Sequence, residues 1–199
     1  PDSYDVIQKF TPLSVFTSHK ELPNNDELEN ILLPFDDKKL IIKDYVKSQK
    51  HYWHEACFIP DASDICNVKK IVETFIHKQG DELQGGLVFR EYVDLSPVGN
   101  HPKSNMPLTQ EYRLFVLNGK PIANNEYWED GCYGDTTQCD ISIFQSVFDS
   151  VKSNFYTVDI AKKLDGEWII IELGDGQVAE FLGVNGLGEF YNAINKIEK

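Results

Sequence analysis

The dipeptide Asn118-Gly119 separates two strand-like runs, EYRLFVL (111–117) and KPIANNEYW (120–128), and it constrains the fold more than any other feature of the chain. Asn-Gly accepts the positive φ angles of a two-residue turn whose twist matches the strands it joins, so a tight antiparallel hairpin is expected here. A second pair, FYTVDIAKK (155–163) and EWIIIEL (167–173), turns at Asp165-Gly166. Successive hairpins commit this half of the chain to antiparallel pairing. That excludes a repeated βαβ winding and points to the α+β class.

Upstream, KLIIKDYV (39–46) and ACFIP (56–60) read as strands. SDICNVKKIVETFIHKQG (63–80) reads as a helix: it opens on a capping Ser or Asp, repeats apolar residues at Val68, Ile71, Val72, Phe75 and Ile76, and stops at Gly80. GGLVFREYVDL (85–95) is the next strand. SPVGNHPKSNMPLTQ (96–110) has three prolines and no periodicity, and reads as a boundary loop or lid. A helix over 143–151 and another at GEFYNAINKIE (188–198) complete the order β-β-α-β, loop, β-β-α-β-β-α. Residues 1–37 read as a lead-in of turns with one helical stretch at DELENILL; the chain opens on Pro rather than Met, which leaves two readings, a trimmed start or a fragment whose lead-in is the remnant of an upstream lobe. The expected organisation is a lead-in over 1–37, a smaller lobe over 38–93 and a larger one over 94–199.

Composition narrows the function. Lys and Arg number 19 against 32 Asp and Glu, a formal net charge of −13. Such a chain lacks the bulk positive field that holds nucleic acid or an anionic membrane, although a polyphosphate ligand still requires a small basic pocket. No window approaches the ~18 apolar residues of a membrane span, and no apolar signal segment opens the sequence. Cys57, Cys66, Cys132 and Cys139 have no CxxC spacing, so ordinary thiols in a reducing, cytoplasmic compartment are expected. His51 and His54 in HYWH have no third ligand nearby. GVNGLGEF (183–190) lacks the Lys-Ser/Thr of a phosphate loop, and the scattered histidines frame no Ser-His-Asp site.

Charged residues interrupt the apolar strands. Asp159 and Glu172 stand on hairpin partners with Asp175 just beyond, and cross-strand neighbours about 5 Å apart can share a cation. Paired hard oxygens without His or Cys suit Mg²⁺ when phosphates fill its other positions. Acids at strand ends are more often merely solvated. Glu172, however, follows WIII, which predicts burial, and a buried carboxylate needs a partner. Lys43 in LIIKDYV, Arg90 in LVFREYV and Arg113 in EYRLFV are single cations inside apolar runs, and Lys47 lies four residues after Lys43. Each alone is more often a snorkelling edge residue. Together, in so acidic a chain, they read as a convergent anion site.

In this order, IIKD with Lys47, LVFREYV, EYRLFVLNGKPIA and VDIA through DGEWIIIELGDGQ resemble the ATP-grasp superfamily, and within it the phage and bacterial clade named for two arginines and a lysine. They are also similar to the related eukaryotic cell-division-cycle family that helps assemble a translation initiation factor. The likeness runs from Lys39 to Gly183. It implies an ATP-grasp fold in which two α+β lobes with mostly antiparallel sheets enclose ATP and Mg²⁺. It implies that Lys43 grips the α- and β-phosphates and that Lys47 lies in the loop covering them. It makes Arg90, Glu91, Tyr92 and Val93 the hinge, where the Glu91 C=O and the Val93 N–H read adenine. Arg113 then faces the transferred phosphoryl group, and Asp159 and Glu172 are the metal carboxylates. The family's metal motif ends acid, any residue, Asn; here Gly174 stands in the Asn place, which leaves Asp175 or Gln177 as the third contact. The glycine-rich phosphate loop of many ligases is replaced after Lys43 by SQKHYWHEA. The implied activity is ATP-dependent ligation of a carboxylate to an amine through an acyl phosphate, with a peptide or protein among the candidate substrates. The alternative is an ATP-binding assembly module without turnover.

Overall fold

The computed structural model describes residues 2–102, 107–134, 139–181 and 187–195. Two compact units result, one of residues 12–93 and one of residues 2–11 with 94–199. Helix α1 (Asp2–Ile7) opens the chain and belongs to the second unit.

In the first unit, β1 (Ser14–Phe16), β2 (Leu40–Asp44), β3 (Phe58–Ile59) and β4 (Leu87–Glu91) form an antiparallel sheet in the order β1-β4-β2-β3. Strand β2 alternates with the period of two that its pleat imposes: Leu40, Ile42 and Asp44 are buried, and Ile41 and Lys43 face the other way. The buried side packs on α2 (Asn25–Leu32) and α4 (Ile65–Gln79), through Leu28, Leu32, Val68, Ile71, Val72 and Phe75. A short helix, α3 (Trp53–Ala56), precedes β3. The ends of α4 follow the sequence signals, with the Asp64 side chain accepting from the Asn67 N–H at 3.0 Å and Gly80 ending it at φ 50°.

Asp44 is invisible in LIIKDYV as a structural residue. It is fully buried. Its carboxylate accepts from the N–H groups of Val46 (2.7 Å), Lys47 (2.5 Å) and Gln84 (3.1 Å) and from the Gln79 amide (2.7 Å). Burial alone would push this carboxyl up; the hydrogen bonds from Lys47, Val46, Gln84 and Gln79 outweigh it and hold the group below the usual carboxylate range.

The second unit contains a two-stranded ribbon of β5 (Pro97–Asn100) and β6 (Pro107–Thr109). Its main sheet is built from β7 (Glu111–Leu117), β8 (Lys120–Glu126), β9 (Phe155–Lys162) and β10 (Trp168–Asp175), antiparallel throughout, in the order β10-β9-β7-β8. Asn118 and Gly119 take φ angles of 51° and 74°, the mirror-image turn expected of Asn-Gly. Leu114, Val116, Val158, Ile160 and Ile170 point to one side of the sheet, where Phe144, Val147 and Phe148 and Ile7 of α1 complete the core. Phe144 and Val147 come from a 3₁₀ turn over Ile141–Phe144 and from α5 (Gln145–Ser150), where one continuous helix was expected. Helix α6 (Leu187–Asn195) covers only part of GEFYNAINKIE, whose last residues lie outside those described, as does part of GVNGLGEF.

The lead-in and the boundary loop hold more structure than the sequence signals. Strand β1 is three residues long, too short for periodicity to register, and its partner Arg90 is far along the chain from Ser14. In the ribbon, Pro97 and Pro107 occupy the first position of each strand, where a missing N–H costs least, and Gly99 takes φ 133° at a bulge. Among the described residues no helix is long and apolar enough to cross a membrane.

Candidate functional site

The face of the second sheet opposite its core carries a polar row with one residue from each strand. Asn125 of β8 stands opposite Arg113 of β7, Arg113 opposite Asp159 of β9, and Asp159 opposite Glu172 of β10. The hairpin register expected from Asp165-Gly166 is the one observed. Arg113 donates from Nε to Asp159 Oδ1 at 2.8 Å and from Nη2 to Oδ2 at 2.7 Å, a two-pronged charge-assisted pair. That pairing with Asp159 outweighs burial and raises the guanidinium above its already high ordinary range.

Two tyrosines that sequence reasoning missed support this pair, one by direct contact and one through the backbone. The Tyr127 ring lies 4.9 Å from Arg113 Cζ, in cation–π range. Burial first, then the negative charges of Asp159 and Glu172, push its phenol up to about 12. The Tyr133 hydroxyl donates to the Glu111 C=O at 2.7 Å and accepts from the Tyr127 and Trp128 N–H groups at 3.1 and 3.2 Å. It thereby fixes the turn from which Tyr127 projects. Periodicity could have marked Tyr127 and Asn125, which continue the alternation of Ala123 on β8; nothing in the sequence marks Tyr133.

Glu172 is half-buried rather than buried. It stands on the edge strand β10, where a bulge at Ile171 interrupts the register and the Ile170 N–H turns to the Phe10 C=O at 2.7 Å. Asp175, the third metal contact expected from the sequence, stands apart from the Asp159 and Glu172 pair. It is exposed, its Oδ1 accepts from the Gln177 N–H at 2.9 Å, and the pleat turns it to the face opposite Glu172. Among the described residues no group of three or more His, Cys, Asp or Glu side chains is arranged to hold a metal ion. Gly174 shares the face of Glu172 and has a local reason to be glycine. A Cβ there would lie 2.5 Å from Oγ1 of the buried Thr157.

The remaining expected residues belong to the first unit. Lys43 and Arg90 share the face of its sheet turned away from α4, with Lys43 opposite Val88 and Arg90 opposite Ile41. Arg90 Nε donates to Ser14 Oγ at 3.1 Å. Lys47 is exposed and pairs with Glu82 at 3.1 Å. In the expected hinge, the Glu91 N–H reaches the Leu13 C=O and the Tyr92 N–H the Lys39 C=O, both at 2.8 Å, while the Glu91 carboxylate meets Lys38 at 3.0 Å. The Tyr92 ring packs against Phe58 and Trp53, which stack on each other 5.4 Å apart. His54 joins this aromatic group against Phe58. Burial pushes the Cys57 thiol up to about 12 despite Lys50 and Lys43 nearby, so it is an inert core group.

Residues 33–194 match a family model described as the ATP-grasp domain, family 3 of the clade named for two arginines and a lysine. The chain belongs to that family. ATP binding is its coarse function. No curated protein matches the sequence. Among solved structures, Cdc123 from Schizosaccharomyces pombe is 12% identical with a TM-score of 0.53, over 86% of this chain and 80% of that one. The ATP-grasp ligase PsnB, complexed with minimal precursor, Mg and ADP, is 13% identical with a TM-score of 0.56, over 98% of this chain and 57% of that one. D-alanyl-alanine synthetase A from Vibrio cholerae is 12% identical with a TM-score of 0.51, over 86% and 52%. At these identities the likeness is one of fold. This ATP-grasp domain has the α+β, antiparallel architecture expected of it, and spans little more than half the length of the two ligases.

Proposed function

We propose that this ATP-grasp domain binds Mg²⁺-ATP and serves an ATP-dependent ligase that joins a carboxylate to an amine through an acyl phosphate. The observation that carries the reading is the row of Arg113, Asp159 and Glu172 across one sheet face of an ATP-grasp domain. Asp159 and Glu172 fit a magnesium ion: they are hard donors and direct cross-strand partners, and two carboxylates leave the other positions of a six-coordinate ion to phosphate oxygens and water. The bound ion would neutralise charge spread over the phosphate oxygens. Arg113 supplies positive charge where the transferring phosphoryl group becomes most anionic, and Lys43 does the same for the α- and β-phosphates. Lys47 belongs to the loop over them. Arg90 to Val93 form the hinge, with the Glu91 C=O and the Val93 N–H at the adenine edge. A substrate carboxylate oxygen attacks the γ-phosphorus as the bond to the β–γ bridging oxygen breaks and ADP leaves. An amine then displaces phosphate from the acyl carbon. No side-chain nucleophile is required. The precursor peptides of the PsnB complexes favour a peptide- or protein-borne carboxylate, and the free thiols favour a cytoplasmic setting.

ADP release, measured with and without candidate carboxylates and amines, tests the reading: a substrate pair should accelerate it. The second reading is an ATP-binding assembly module without turnover. It is favoured by the 80% of Cdc123 that this chain covers, and it expects bound ATP that no substrate pair turns over.

Lys43→Ala should lower ATP affinity by about 1–3 kcal/mol, the scale of a charge-assisted hydrogen bond, with the fold intact because Lys43 faces away from the core. Calorimetry giving parent affinity would remove Lys43 from the site. At the hinge, Glu91→Gln should change ATP binding little, since it disturbs only the exposed pair with Lys38. Val93→Pro deletes the N–H assigned to adenine and should weaken binding at least on the order of tenfold. Parent-like binding by both variants would make this segment an ordinary strand end.

A further inference from the structure

We infer that Asp159 serves two cations in turn, held by Arg113 in the nucleotide-free protein and released to the metal when a nucleotide phosphate takes its place on Arg113. The inference rests on the Mg²⁺-ATP reading and adds to it an order and a coupling. Both Asp159 oxygens accept from the Arg113 fork, at 2.8 and 2.7 Å, and the two side chains are only 3% and 18% exposed. The lone pairs engaged by that fork are those a six-coordinate metal would use. Water does little to screen the competition there, because Asp159 is buried and the Tyr127 ring covers the guanidinium.

Charge decides the order. Arg113, Asp159 and Glu172 sum to a single negative charge, too little to hold a divalent ion beside a guanidinium that has lost its partner. Stripping a half-buried cation of its carboxylate with nothing in exchange is costly. A nucleotide phosphate removes both obstacles, since it brings negative charge for the metal and two-pronged acceptors for Arg113. Metal and nucleotide must then strengthen each other's binding by the same factor, beyond their affinity for one another in solution. Glu172, the cross-strand neighbour of Asp159, is the carboxylate on which an arriving ion can rest before Asp159 is released.

The test uses Mn²⁺, followed by water-proton relaxation or by the loss of its free paramagnetic signal, on the full chain with and without AMPPNP. Without nucleotide, Arg113→Gln should bind Mn²⁺ on the order of tenfold more tightly than the parent, the reverse of what loss of an ordinary site residue does. Asp159→Asn, in the absence of metal, should bind AMPPNP more tightly than the parent, because Arg113 is released to it. Mn²⁺ affinity in a folded Arg113→Gln no better than the parent's would overturn the exchange. Should that variant unfold, Arg113→Lys keeps the charge but loses the fork, and should still tighten Mn²⁺ alone; no gain there overturns the exchange equally. Failure of the underlying reading looks different: Asp159→Asn would then bind Mn²⁺ with AMPPNP as the parent does.

Discussion

Asp159→Asn and Glu172→Gln should each lower ATP turnover by a factor on the order of 10²–10³ or more, the scale lost when one preorganised electrostatic contact is removed from a phosphoryl- or acyl-transfer site. The two substitutions should differ in stability. Asp159→Asn leaves the Arg113 guanidinium beside a neutral amide in a largely buried setting, and its thermal midpoint should fall. Glu172→Gln removes a half-buried charge on an edge strand and should leave the midpoint unchanged or raised. The paired readings are a melting curve and phosphate release at saturating Mg²⁺-ATP. A Glu172→Gln variant that melts like the parent and turns over like the parent removes that carboxylate from the chemistry.

Asp44→Ala should cost on the order of 3 kcal/mol of folding stability, since it leaves buried N–H groups and the Gln79 amide without their acceptor. Its pH signature has a definite sign. The folded-state carboxyl is held below the value of 3.8 that an unperturbed Asp takes, so its contribution is full above that value and drains away as pH falls through the lower folded value. Urea unfolding of the parent should therefore show an acid limb below about pH 4 that is shallower in Asp44→Asn. Equal slopes in the two proteins would mean that the network does not hold the ionised form.

The second unit is legible in the sequence because its turns are local. Asn118-Gly119 and Asp165-Gly166 set two hairpins, and the second brings Asp159 to the neighbourhood of Glu172, while the one-residue bulge at Ile171 that sets them directly opposite has no signal in the sequence. What stays hidden depends on partners distant in sequence. Strand β1 takes meaning only from β4, and Asp44 from Gln79 and Gln84, 35 and 40 residues on. A string of acids does not show which way each residue points, and the pleat turns Glu172 and Asp175 to opposite faces. The Arg113–Asp159 pair is hidden for another reason. The resemblance gives both residues to the nucleotide, one to phosphate and one to metal, and nothing in either strand announces that they bind each other.

The chain also visits its two units out of order. Residues 2–11 and 94–199 make one unit and the stretch between them makes the other, while Phe10 packs edge-on against Phe144 at 5.3 Å within the first-begun unit. As the chain leaves the ribosome, the unit begun first is therefore the last to be finished. The contiguous stretch 12–93 can close once it has emerged, whereas α1 must wait for α5 to be translated, its apolar face exposed meanwhile. A trim of the first eleven residues is thus a lesion in the unit that carries Arg113, Asp159 and Glu172, although those residues lie a hundred or more positions downstream.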